Sequence, residues 1–176
     1  KPAGRGMKLQ MPAVKKYAAD QHLPVLQPEK LKDAGFIAAL RSYQADVQVV
    51  VAFRMLPEMV WNMPLHGTIN LHASLLPQYR GAAPINWAII RGEQQTGVTT
   101  FRLQHAIDTG NILMQQRVDI DRQETAGTLH DKLMTVGANL MVKTLQGIEN
   151  NSITEMPQQT TDDLKSAPKV FTDTCR

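Results

Sequence analysis

From Asp46 to Phe53 the chain reads DVQVVVAF, an almost unbroken run of β-branched and apolar residues. That is the composition of a strand buried on both faces of a parallel sheet, and such a strand requires helices to cover it. The surrounding sequence supplies them. Pro12 suits the first turn of a helix, where a missing N–H costs nothing; Val14, Tyr17 and Ala18 follow at helical spacing and Pro24 ends the element. Val25 to Gln27 reads as a short strand. Asp33 can cap a second helix whose face carries Phe36, Ile37 and Leu40. Pro57 to Asn62 is a short helix and Thr68 to His72 a short strand. Pro84 opens a helix that Gly92 closes. Val98 to Leu103 and Ile112 to Ile120 are extended runs flanking the turn Asp108-Thr109-Gly110-Asn111. A long helix follows Thr125, with Leu129, Leu133, Val136, Leu140 and Leu145 on one stripe. Strands alternating with helices predict an α/β fold with a mostly parallel sheet flanked by helices. Ligands of such sheets collect beyond the carboxyl ends of the strands.

With 176 residues, 43% hydrophobic and 20% charged, the chain has enough apolar material for one packed domain and is not disordered by composition. No apolar run is long enough to cross a bilayer. The single cysteine, Cys175, has no partner within the chain, so a disulfide framework is excluded and a reducing, cytoplasmic setting is expected. A net charge of +3 permits an anionic partner without requiring one. The polar, Gln- and Thr-rich stretch from Asn150 to Asp163 reads as a linker.

The strongest local signal is Asn70-Leu71-His72 followed by Ser74-Leu75-Leu76-Pro77. Positions two apart on a strand share a face, so Asn70 and His72 project together. An amide donor beside an imidazole suits a reaction through an oxyanion, the amide donating to the oxygen and the imidazole moving a proton. Taken alone, an Asn-x-His pair is more often a strand-end cap than a site. Asp108 lies in an Asp-x-Gly turn, itself ordinary turn chemistry, although a carboxylate beside a histidine can hold its tautomer.

Together these segments resemble the folate-dependent formyltransferases. The resemblance is carried by INLHASLLPQYRGAAP from Ile69 to Pro84, by TGVTTFRLQHAIDTGNIL from Thr96 to Leu113, and by Thr125 to Leu129. It implies a Rossmann-like formyltransferase domain. It also implies Asn70, His72 and Asp108 as the catalytic set, Ser74, Leu75, Leu76 and Pro77 lining a reduced-folate site, 10-formyltetrahydrofolate as formyl donor, a primary amine as acceptor, and no metal.

Which amine is accepted rests on the opening Pro2-Ala3-Gly4-Arg5-Gly6. This resembles the loop that reaches into the acceptor arm in the branch acting on initiator methionyl-tRNA in translation initiation, and Arg5 matches its tRNA-binding arginine. Lys1, Arg5, Lys8, Lys15 and Lys16 precede the first acid, a footprint suited to phosphates. Asn86-Trp87 is shared with amino-sugar nucleotide formyltransferases, which are the alternative, together with an inactive folate-binding fragment. The missing initial Met and the apolar Val170-Phe171 near the end lead to the expectation of a monomeric catalytic-domain fragment. Residues 1–149 would be the domain, lacking its first strand and helix, and 150–176 a linker towards a barrel-like second domain. His105 is a rival to His72. His22, His66 and His130 read as turn or surface residues, Trp61 and Trp87 as packing groups, and Cys175 as without a nucleophilic role.

Overall fold

In the computed structural model, residues 2–3, 8–9, 11–52, 55–159 and 162–171 are described. The chain divides into two compact units, Lys1–Tyr43 and Gln44–Arg176.

In the first unit, β1 (Pro2–Ala3) pairs antiparallel with β2 (Lys8–Leu9), and two helices follow, α1 (Ala13–Asp20) and α2 (Ala34–Ser42). Pro12 stands immediately before α1, as its fixed φ and missing N–H favour. The helix ends at Asp20, short of Pro24, and the chain turns through His22 at φ 55°. Val14 and Tyr17 are exposed rather than forming a buried face. Asp33 caps α2 as expected, its carboxylate accepting from the Phe36 amide at 2.8 Å, and Ile37 is the buried residue of that helix. No strand forms at Val25–Gln27. A three-residue run between Pro24 and Pro28 loses donors at both borders and has no partner strand.

The second unit is built on a four-stranded sheet in the order β3 (Gln48–Val50), β4 (Thr68–His72), β5 (Gln95–Arg102) and β6 (Ile112–Asp119). Only β3 and β4 run parallel; β4–β5 and β5–β6 are antiparallel. The sheet is therefore mixed rather than mostly parallel among the described strands, because β5 and β6 are joined as a hairpin about the Asp108 turn. The run from Asp46 to Phe53 yields three strand residues, with Val49 and Val51 exposed. Among the described strands β3 pairs with β4 alone, and Ala52 at φ 50° interrupts it.

The 24-residue helix α5 (Ala126–Glu149) starts at Thr125, whose hydroxyl accepts from the Thr128 amide while the Thr128 side chain accepts from the Thr125 amide. Its apolar stripe covers one face of the sheet: Leu129, Leu133 and Leu140 pack with Val98 and Val118, and Met141 with Ile69 and Leu113. Thr100 and Thr144 join hydroxyls across this contact at 2.8 Å, which satisfies both in a buried setting. A register shift at Thr100/Phe101 lets Leu113 and Met114 both reach the helix side, while Ile112 packs on the opposite face with Leu76 and Phe101. Two shorter helices, α3 (Glu58–Trp61) and α4 (Pro84–Ile90), occupy the β3–β4 and β4–β5 connections, and Gly92 at φ 65° follows α4. None of the described helices is long and apolar enough to cross a membrane.

Candidate active site

Strand β4 follows the alternation that its sequence dictates. Ile69 and Leu71 face the α5 core, so Thr68, Asn70 and His72 face the other way. Asn70 and His72 are both buried, 4% and 7% exposed, and both line a cavity of about 1070 Å³ in the second unit. The remaining wall is largely apolar, including Met55, Trp61, Ile85, Leu103 and Met134. The Asn70 side-chain oxygen is buried without a hydrogen-bond partner. Stripping such an acceptor of water costs about 1–3 kcal/mol, which a donor arriving in the cavity would offset.

The His72 ring has one nitrogen committed. Its Nε2 lies 2.8 Å from the Tyr79 carbonyl oxygen, which can only accept, so Nε2 carries a proton. That leaves Nδ1 as the nitrogen that can exchange a proton, and Asp108 Oδ2 stands 3.8 Å from it. Asp108 is itself buried, 8% exposed, and Oδ2 also accepts from the Gly81 amide at 2.9 Å. The three residues singled out by sequence thus meet at one cavity although Asp108 comes from the β5–β6 connection.

Backbone geometry explains the glycines around this contact. Asp108 has φ 54°, and two residues later a Cβ on Gly110 would lie 1.6 Å from the Arg102 carbonyl oxygen. Gly81 has φ 126°, and a Cβ there would meet the Ala167 carbonyl oxygen at 2.4 Å. Only a residue without a side chain fits either position.

Ser74, Leu75, Leu76 and Pro77 follow closely on the His72 end of β4, beside the residues that line the cavity. They form a turn held from inside the fold. The Thr99 hydroxyl donates to the Ser74 carbonyl at 2.6 Å and accepts from the Leu76 amide at 3.1 Å, while the Gln115 amide donates to the Leu76 carbonyl at 2.8 Å. Leu76 is buried against Phe101 and Ile112. The turn carries the chain from His72 back to Tyr79, whose carbonyl His72 meets. Arg5 and Cys175 lie outside the described residues. His105 is an exposed cavity-lining residue paired with Glu58 at 3.3 Å and set edge-on to Trp61, and is not joined to Asp108. His130 is exposed, as expected, pairs with Asp131 at 3.0 Å and borders the cavity. Trp87 lies on α4 and donates through Nε1 to the Pro168 carbonyl at 2.7 Å.

Sequence reasoning missed the packing of the polar stretch after α5. Met156 exchanges backbone hydrogen bonds with Ile112, at 2.8 and 2.9 Å, and Glu155 pairs with Arg102 at 2.8 Å. Further along, Lys165 accepts from the Tyr79 amide at 2.6 Å, and Ala167, fully buried, donates to Arg80 and accepts from Ala83. The Lys165 ammonium pairs with Glu93, which also receives the Tyr79 hydroxyl. Those two hydrogen bonds, Lys165 first, hold the Glu93 carboxyl below its ordinary range. Burial, and then the bond to Glu93, push the Tyr79 hydroxyl up. This strap thereby fixes residues 79–81, which supply a partner to His72 and another to Asp108. Its only local signal was composition, and polar residues without periodicity read the same whether tethered or free.

Residues 1–145 match the family model described as formyl transferase. A methionyl-tRNA formyltransferase of Bacteroides thetaiotaomicron is 57% identical over 179 residues, covering 100% of this chain and 56% of that protein. Another from Flavobacterium johnsoniae is 52% identical over 176 residues, with coverage of 100% and 56%. The chain spans about half the length of these curated relatives. Among solved structures, the phosphoribosylglycinamide formyltransferase of Bacillus halodurans superposes with a TM-score of 0.69 at 26% identity, covering 77% of this chain and 74% of that one. An N-formyltransferase of Helicobacter canadensis, solved with folinic acid and dTDP-3-aminofucose, gives a TM-score of 0.70 at 23% identity, covering 89% and 54%, and shares the fold.

Proposed function

Because the chain belongs to the formyl transferase family, we propose that the full-length protein moves a formyl group from 10-formyltetrahydrofolate to the free amino group of initiator methionyl-tRNA. Residues 1–149 act as its catalytic domain, and 150–176 lead towards a further, barrel-like domain. The observation that carries this reading is the identity of 57% along the whole chain to a relative of that name. It is supported by the buried meeting of Asn70, His72 and Asp108 at a large, mostly apolar cavity. A cavity of about 1070 Å³ with a few convergent polar groups suits a bulky, partly apolar ligand such as a reduced folate.

When bound, the folate would supply a formyl carbon open to attack by the amine. As the new C–N bond forms, the bond from that carbon to folate N10 breaks, and the proton lost by the amine ends on N10. The rest is the work of this chain's side chains. Asn70 offers its amide N–H to the formyl oxygen as negative charge develops there, and its unpartnered carbonyl oxygen is free to accept from the incoming amine. His72 keeps Nε2–H on the Tyr79 carbonyl, so its proton is given and taken at Nδ1. Asp108 faces that nitrogen and relays the amine's proton directly or through a water. Arg5 contacts tRNA phosphate. The alternative acceptor, an amino-sugar nucleotide, is not favoured, since the relatives of high identity are methionyl-tRNA formyltransferases.

The test is a side-by-side formylation assay of the full-length protein with charged initiator tRNA and with an amino-sugar nucleotide. Formylation of the tRNA alone is expected. Turnover of the sugar nucleotide with inert tRNA would replace the acceptor, and turnover of neither would overturn the enzymatic reading.

A further inference from the structure

Among the groups surrounding the site, Gln158 stands out for how completely it is used. A side-chain amide has two N–H donors and two acceptor lone pairs, and all four are engaged here. Nε2 donates to the Asp108 carbonyl at 2.9 Å and to the Gly110 carbonyl at 2.8 Å. Oε1 accepts from Arg80 Nε at 3.1 Å and from Arg80 Nη2 at 2.7 Å. Arginine can only donate, so it fixes the oxygen of the amide towards itself and turns the nitrogen to the two backbone carbonyls.

The two carbonyls bracket the turn that presents the Asp108 side chain. Asp108 has a left-handed backbone, φ 54°, which a residue with a Cβ adopts only where the surroundings hold it. Its carboxylate is held from one side by the Gly81 amide at 2.9 Å. Gln158 holds its peptide planes from the other, and through Arg80 ties that turn to the segment carrying Gly81. The turn whose Asp108 carboxylate stands 3.8 Å from His72 Nδ1 is thus bonded by a residue of the strap, 50 positions further along the chain.

We propose that Gln158 is a positioning residue for formyl transfer: it touches no reacting atom, and it holds the Asp108 turn so that the carboxylate faces His72 Nδ1. The proposal rests on the roles given above to His72 and Asp108.

The test uses the full-length protein with two substitutions. Gln158→Met keeps the length and removes every hydrogen bond. Gln158→Glu keeps the shape and gives Arg80 a stronger partner, but has no N–H for the two carbonyls and sets a charge against them. Displacements near 1 Å can cost about 10²-fold in rate. Both variants should therefore lose about tenfold to a hundredfold in kcat, with the KM for the formyl donor within about threefold of wild type. The pH–rate profile should also differ from that of wild type. Val118→Ala, a core change on β6, a strand that contributes no residue to the cavity wall, serves as the control for lost melting temperature and should keep both kcat and the profile. Wild-type formylation is measured first, so failure there overturns the proposed reaction rather than Gln158 alone. Folded Gln158→Glu protein with wild-type kcat and an unchanged pH profile overturns the positioning role, whatever the fate of Gln158→Met.

Discussion

Gly81→Ala is the substitution whose cost can be worked from geometry. The new methyl carbon would sit 2.4 Å from the Ala167 carbonyl oxygen and 2.9 Å from its carbon, on a backbone at φ 126°. Strain of that kind costs about 1–3 kcal/mol for a residue with a side chain. The clash cannot be relieved by a rotamer, because the atoms met are backbone. Ala167 would have to retreat by roughly an ångström to reach ordinary contact, and it is fully buried and bound on both sides, to Arg80 at 2.8 Å and to Ala83 at 3.1 Å. Losing those two bonds costs about 0.5–1.5 kcal/mol each. The total, about 2–6 kcal/mol, is a large part of a typical domain's 5–15 kcal/mol. At roughly 2–4 °C per kcal/mol for a chain of this size, the melting temperature should fall by about 4–24 °C. Because the Gly81 amide also holds Asp108, formylation measured well below the melting point should drop by about tenfold or more. Thermal denaturation and steady-state formylation of the same preparation check both parts. A melting temperature and a kcat equal to wild type would refute the claim that strap and site meet at this glycine.

His72→Ala and Asn70→Ala should each lower kcat by about a hundredfold or more, with folate affinity changed far less; near-normal single-turnover rates in either variant would remove that residue from the chemistry. Glu93 gives the strap a pH dependence whose sign follows from its lowered value: its contribution is fully present above the ordinary value of 4.5 and is lost as the pH falls through the folded value below it. Melting temperature should thus decline on acidification below that point, and Glu93→Gln should lower the neutral-pH value and flatten the decline, which thermal scans across pH 3–7 test. Arg5→Ala should raise the KM for charged tRNA and weaken its salt dependence while leaving folate binding unaltered; identical kinetics at two salt concentrations would reduce that loop to a surface feature.

What the sequence determined by itself lies where chemistry and structure are local. Strand period two put Asn70 and His72 on one face of β4, the 3.6-residue stripe of α5 found its sheet, and Asp33 caps the helix that its carboxylate announces. The tertiary structure alone decided how distant segments meet. It joined Asp108 to His72 and turned Ser74 to Pro77 inward through Thr99 and Gln115. It left β3 at the edge of the described strands and folded residues 153–159 and 162–168 back as a strap on Arg80, Asp108 and Glu93. The reason is physical. Periodicity and capping are written in neighbouring residues, whereas a glutamine's four hydrogen bonds depend on which backbone carbonyls and side chains the fold brings beside it, and those came here from segments 50 and 78 residues away.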